Sequence, residues 1–200
     1  MAVQSGIYKG VSAAERADAR RGRLLDATLS VWADPGTRTT MTAVCGEAGL
    51  SERYFYESFT GLDEAQRAVL EAVATEIETT ALAAADMAGD DPTQRIRAAV
   101  AAFIDLLVAD PRKGRVAIIE AGAMPALRSR RTELLRHFAH LAAEQAHDRH
   151  RPLRHEDELA GLLFIGGMAE LVTAWLDGAV TASPEELVET ASRSFLGLDG

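Results

Sequence analysis

No segment of this 200-residue chain alternates apolar and polar residues as a half-buried strand must, and helix-forming residues dominate its length. The chain is therefore restricted to packed helices, and proline and glycine decide where each can stop. The first predicted helix runs from Ala13 to Ala33 and ends at Asp34-Pro35-Gly36, with Leu25, Leu29 and Trp32 along one face. A short helix follows from Met41 to Ala48, with Thr40 at its N-cap and Gly49 at its end. Ser51 is placed to cap a third helix that reaches Phe59, and Thr60-Gly61 breaks the chain again. Further helices are expected at Leu62 to Met87, Thr93 to Ala109, Arg112 to Ala121, Pro125 to Arg149, Glu156 to Asp177 and Pro184 to Leu196. The predicted fold class is all-α.

Charge is unevenly spread. Residues 1–60 carry seven Lys/Arg and seven Asp/Glu, so the whole net charge of −9 falls on residues 61–200. An acidic second region would be repelled by nucleic acid, which turns any such contact toward the N-terminal end. No run of about 18 uncharged apolar residues is evident, so no membrane partner is expected. The first ten residues lack the apolar core of a secretory signal, and Cys45, the sole cysteine, cannot form an internal disulfide. Together these features lead to an expected cytoplasmic location.

The most informative stretch is Thr39 to Phe59, TTMTAVCGEAGLSERYFYESF. It sets two short helices about the tight turn Ala48-Gly49-Leu50-Ser51, a geometry in which one helix crosses a DNA backbone while the next enters the major groove. Met41, Val44, Cys45 and Ala48 recur at i, i+3, i+4 and i+7, giving the second helix one apolar face. Phe55 and Phe59, at i and i+4, are expected to anchor the third helix to that face and to Leu25, Leu29 and Trp32. That leaves Glu52, Arg53, Tyr54, Tyr56 and Glu57 outward.

From about Arg21 to Glu71 the chain resembles the DNA-binding domain of the TetR family of transcriptional regulators. The likeness rests on LLDATLSVWADPG, TTMTAVCGEAG, the helix Ser51 to Phe59 with Tyr56 inside it, and the AVLEA run at Ala68 to Ala72. The resemblance implies that residues 1–61, ordered from about residue 13, bind DNA, and that residues 62–200 bind a ligand and dimerise. It implies that Tyr56 holds a phosphate and that Thr40 and Thr42 hold the backbone. It places Ser51, Glu52, Arg53 and Tyr54 at the base-reading end of the recognition helix. Arg53 can pair with guanine O6 and N7 together, or instead touch phosphate or pair with Glu57 at i+4.

The chain also departs from the family pattern. Leu62 stands where a phosphate-binding lysine commonly begins the fourth helix, and Glu57 where a histidine is common. An N-terminal arm with Lys9, Arg16, Arg20 and Arg21 is expected to offset the missing lysine. Cys45 replaces a small residue and is read as a buried structural thiol.

For the second region the resemblance implies architecture rather than ligand. The last two helices, about 156–177 and 184–197, should pair with their copies through Leu159, Leu163, Gly167, Leu171, Trp175, Leu187, Ala191 and Phe195. Gly166-Gly167 inside a helix suggests close approach, pocket space or plain core packing. An effector pocket is expected among Phe103, Leu107, Ile119, Glu120, Met124, Phe138, Leu141, Phe164 and Met168, each of which can equally be ordinary core. Glu120 is the carboxylate that could meet a polar group on an effector, or pair with an arginine.

A catalytic reading competes. His137, His140 and Glu144 share a helical face, with His147 nearby, but no HExxH, Walker loop, dinucleotide motif or nucleophile elbow accompanies them. A solvated face, no metal, no cofactor and no enzymatic activity are expected. The partners implied are a palindromic double-stranded operator, a small-molecule effector and a second copy of the chain, acting in the cytoplasm in association with the nucleoid. A helical interaction protein that does not bind DNA remains the other alternative.

Overall fold

The computed structural model describes residues 12–147 and 152–197, and no strand occurs among them. Helix α1 (Ala13–Ala33) begins with a capping box: Ser12 Oγ accepts from the Glu15 amide while the Glu15 carboxylate accepts from the Ser12 amide. Arg16, Arg20 and Arg21 therefore lie on the predicted first helix rather than on an arm preceding it, and Lys9 falls outside the described residues. Helix α2 (Met41–Ala48) is capped by Thr40, whose Oγ1 accepts from the Ala43 amide at 3.1 Å. It ends at Gly49, where φ is +60° and a side chain would be strained. Helix α3 (Glu52–Ser58) starts after Ser51, whose hydroxyl makes no capping hydrogen bond.

Helix α1 is buried on two sides. Leu24, Ala27 and Val31 form one cluster with Val44, Cys45, Ala48, Phe55 and Phe59. Leu29 and Trp32 turn the other way, into a second cluster with Val69, Leu70 and Val73 of helix α4 (Leu62–Met87) and with Val116 and Leu127. The expectation that Phe55 and Phe59 pack on Leu29 and Trp32 is thus corrected. Sequence periodicity could not separate the two faces, because apolar residues occupy both. Leu25 alone of the three expected anchors packs against both clusters.

Helix α5 (Pro92–Ala109) starts at a proline, capped by Asp91. The expected single helix from Arg112 to Ala121 is broken into α6 (Pro111–Gly114), a π-helical segment Arg115–Glu120 and α7 (Ala121–Ala123). A 3-10 turn over Pro125–Leu127 leads into α8 (Arg128–Ala146). Helices α9 (His155–Leu176) and α10 (Pro184–Leu196) complete the fold. A third cluster joins Ile96, Val100, Ile104 and Leu107 of α5 to Met168 and Val172 of α9 and to Leu187, Ala191 and Phe195 of α10.

The two regions are joined by more than chain continuity. Arg112, held by Asp110, donates to Ser30 Oγ at 2.5 Å and to Asp26 at 3.2 Å, so α6 grips the outer flank of α1. Hydrogen bonds from Arg112 keep the Asp110 carboxyl below its usual pKa. Within the second region, Arg130 forms a two-pronged pair with Glu71 at 2.5 and 2.7 Å, fixing α8 to α4.

Among the described residues, α9 alone is long and apolar enough by length and composition to cross a membrane, although Glu170 keeps it from being an uncharged run. Only 17% of that stretch is buried within the chain. Its inner face nonetheless packs through Gly161, Met168 and Val172, and Glu170 interrupts the apolar surface.

Cys45 is buried, and burial pushes its thiol pKa up. The thiol should therefore be inert to an aromatic disulfide reagent at neutral pH and react fully once denaturant is added. Full reaction of the native protein within minutes would contradict this packing.

Candidate DNA-binding face and internal cavity

Helix α3 is held from beneath by Phe55, which is fully buried and touches the Phe59 ring at 5.6 Å between centroids. Ser51, Glu52, Arg53, Tyr54 and Tyr56 consequently face solvent, with Tyr56 59% exposed. Thr42 is exposed near the start of α2, whereas Thr40 is half-buried and uses its oxygen as the cap. Its hydroxyl proton can still be donated to a phosphate. Arg23 donates to the Ala48 carbonyl, tying α1 to the end of α2 where the turn begins.

Of the two acids on this face, Glu57 is already engaged. Glu57 accepts from Arg53 Nε at 3.0 Å and lies 4.0 Å from Arg20 Nη2. The guanidinium of Arg20 also sits over the Tyr54 ring, 4.6 Å from its centroid. Arg53 is therefore paired in the free protein, the arrangement that competes with base reading. Arg20, counted among the arm's cations, belongs to the predicted first helix and joins the recognition face. The predicted helix from Ala13 to Ala33 already contains Arg20, and the Ser12-Ala13-Ala14-Glu15 capping signature marks its start. At the start of α4, Glu64 accepts from the Thr60 amide and hydroxyl, both at 2.6 Å, and these bonds hold its carboxyl below the usual range.

An internal cavity of about 160 Å³ lies among α4, α5, the π-helical segment, α8 and α9. Phe103, Phe138, Leu141, Phe164 and Met168 line it. Leu107, Ile119, Glu120 and Met124 do not: Leu107 is sealed in the α5–α9–α10 cluster, and Met124 packs beside α4. The π-helical segment is the reason for the other two. Its wider turn rotates the following side chains around the axis, so Ala117 and Ile118 meet the cavity while Glu120 turns to Arg115 at 3.2 Å. The remaining unpredicted lining comes from α4, including Leu70, Ala74, Ile77 and Ala81, from α8, including Leu134 and Leu135, and from α5 and α9. Three polar side chains, Glu78, Arg131 and Gln145, also reach the wall.

The expected dimer residues separate into two groups. Leu187, Ala191 and Phe195 are 2%, 5% and 1% exposed, and Phe195 stacks on Phe164 at 4.3 Å, so they serve the chain's own core. Leu171 and Trp175 are half-buried against that core, and the indole of Trp175 donates to the Ala182 carbonyl. Leu159, Leu163 and Gly167 are exposed, together with Leu162 and Gly166.

The histidines do not converge. His137 pairs with Glu78, His140 lies near Glu144 and Glu158, and His147 near Asp157. No group of three metal-ligating side chains exists among the described residues.

No protein-family model matches the sequence, and no curated protein matches it. Solved structures do match its fold. A TetR-like transcriptional regulator from a Rhodococcus species shares 20% identity over 90% of this chain and 96% of that one, with a TM-score of 0.73. The fatty acid degradation regulator FadR from Bacillus halodurans shares 17% identity over 89% and 95%, with a TM-score of 0.72. A TetR family transcription regulator from Marinobacter aquaeolei shares 20% over 92% and 97%, with a TM-score of 0.63. The chain has the all-helical fold of these TetR-like regulators along nearly its whole length.

Proposed function

We propose that this protein is a TetR-family transcriptional regulator, most simply a repressor, that binds a palindromic operator as a homodimer and releases it when a small molecule fills the internal cavity. The observation that carries the reading is the exposed face of α3: Arg53, Tyr54 and Tyr56, flanked by Ser51, Glu52 and Glu57, presented on a helix whose opposite side is locked by Phe55 and Phe59. Residues 1–61 form the DNA-binding part and residues 62–200 the effector and dimerisation part. Its place is the cytoplasm, on the nucleoid.

Two recognition helices about 34 Å apart would meet successive major grooves on one side of the duplex. The cavity is placed to alter that spacing, since α4 both lines it and packs against α1. The π-helical segment offers a second route, because it meets the cavity through Ile118 and the α1 cluster through Val116. An effector must favour one arrangement over the other, by about 1–3 kcal/mol in typical cases.

The test is operator selection from genomic fragments, followed by anisotropy titrations over a range of salt. A selected palindrome, a steep salt slope and altered base preference in Arg53→Ala are expected, with general weakening in Tyr56→Phe. Equal binding to random DNA by a correctly folded dimer would overturn the reading.

Glu57 supplies a sharper result. Glu57→Gln removes the charge that holds Arg53 and Arg20, so DNA affinity should rise several-fold. The logarithmic salt slope should steepen by about one for each further phosphate that a freed arginine neutralises. An unchanged slope would show that neither arginine is limited by Glu57.

A further inference from the structure

We propose that the cavity takes an elongated, otherwise apolar molecule bearing one anionic group, a carboxylate or a phosphate, and that Arg131 receives that group. The inference rests on the reading of the cavity as an effector site and names the chemistry of its occupant.

Three polar side chains interrupt the apolar wall, and two of them are occupied. Glu78 is paired with His137 at 3.0 Å, and Gln145 accepts from Arg95. Arg131 differs. Its Nε is buried without a hydrogen-bond partner, and no carboxylate of the described residues lies within ion-pair distance of its guanidinium. Its one hydrogen bond runs from Nη2 to the Ile118 carbonyl, at a long 3.4 Å. A buried guanidinium nitrogen without an acceptor is unfavourable, and an entering anion that accepts from the planar fork relieves it. A neutral acceptor would leave the charge uncompensated.

The remainder of the lining sets the body of the ligand. On α4 it extends from Leu70 to Leu82, about 18 Å at 1.5 Å per residue, and on α8 from Arg131 to Gln145, about 21 Å. Lining that extends this far along two helices suits a single hydrocarbon chain better than a compact ring system. Arg131 stands at one end of the α8 lining, so the anionic group sits at one end of the chain. Gly122 leaves room for the Arg131 side chain, because a Cβ there would approach Nε to 3.3 Å.

The test is direct binding to the full-length protein, by calorimetry and thermal shift, with no DNA present. Dodecanoate and dodecyl phosphate are compared with dodecanol, which has the same chain and no charge. At least one anion should bind the wild type ten-fold or more tightly than dodecanol, and the better anion identifies the head group. Arg131→Gln should abolish that preference while leaving dodecanol affinity within about two-fold, and Arg131→Lys should restore part of it. Ala81→Trp, which fills the chain region, should weaken all three probes. Equal binding of anion and alcohol, or an unchanged preference in Arg131→Gln, would overturn the assignment, as would no binding of any probe. Anion binding through Arg131 that leaves operator affinity unchanged would support the ligand chemistry and remove the effector reading instead.

Discussion

Replacing Gly161 with alanine is expected to destabilise the folded chain by about 3 kcal/mol, near the upper end of ordinary overpacking effects. Helices α8 and α9 cross so closely that a Cβ at this position would fall inside the contact radius of the Ala139 carbonyl oxygen, 3.1 Å from the Ala139 carbonyl carbon and 3.4 Å from the Ala143 Cβ. The obstacle is backbone on a well-packed helix, so no side-chain rotation relieves it and the helices must separate. Separation would open the cavity wall, since both helices line it. For a chain of this size, about 3 kcal/mol lowers Tm by roughly 6–12 °C.

The control is Gly166→Ala, where an added Cβ meets nothing within 4 Å. A helix-interior alanine there should leave protomer stability unchanged or raise it by up to about 1 kcal/mol. Matching melting curves for Gly161→Ala and wild type would mean that α8 and α9 are not held this tightly.

The second large effect concerns assembly. Leu159, Leu162 and Leu163 are 52%, 45% and 63% exposed on a helix that is otherwise strongly apolar. In the proposed dimer this surface meets its copy, so Leu163→Glu would place two carboxylates in one apolar seam by symmetry. A penalty of about 4 kcal/mol raises the dissociation constant roughly a thousand-fold. Sedimentation at micromolar concentration should then show monomers, and operator affinity should fall with the loss of the paired half-site. Because Leu163 is exposed in the single chain, monomer helicity should be unchanged. A wild type that sediments as a monomer, or a variant that stays dimeric, would remove this face as the dimer seam.

The contrast between Gly161 and Gly166 turns on roles that the linear pattern could not assign. Gly166-Gly167 drew attention as adjacent helix-weakening residues, yet both are open to space within the chain, and the close approach occurs at Gly161. A glycine in a helix signals only that a side chain is absent, and which neighbour occupies the vacated volume depends on how the helices cross.

What the sequence determined by itself was local. Helix periodicity, the Thr40 cap, the left-handed Gly49 and the prolines at helix starts depend on residues within a few positions of one another, and α1, α2, α4 and α10 have the bounds those signals predict. The outward set on α3 was legible for the same reason, since Phe55 and Phe59 leave only one other side. Tertiary structure decided the rest. Helix α1 offers two apolar faces, and only packing shows that Leu24, Ala27 and Val31 meet the DNA-binding helices while Leu29 and Trp32 meet α4. The π-helical segment rotates Ile118 toward the cavity and Glu120 away from it, a displacement invisible to a count of 3.6 residues per turn. Leu187, Ala191 and Phe195 are as apolar as Leu159 and Leu163, and only the docking of α10 on α5 buries the first group and leaves the second exposed. Periodicity specifies that a face is apolar, whereas the partner of that face is set by long-range packing that no local window contains.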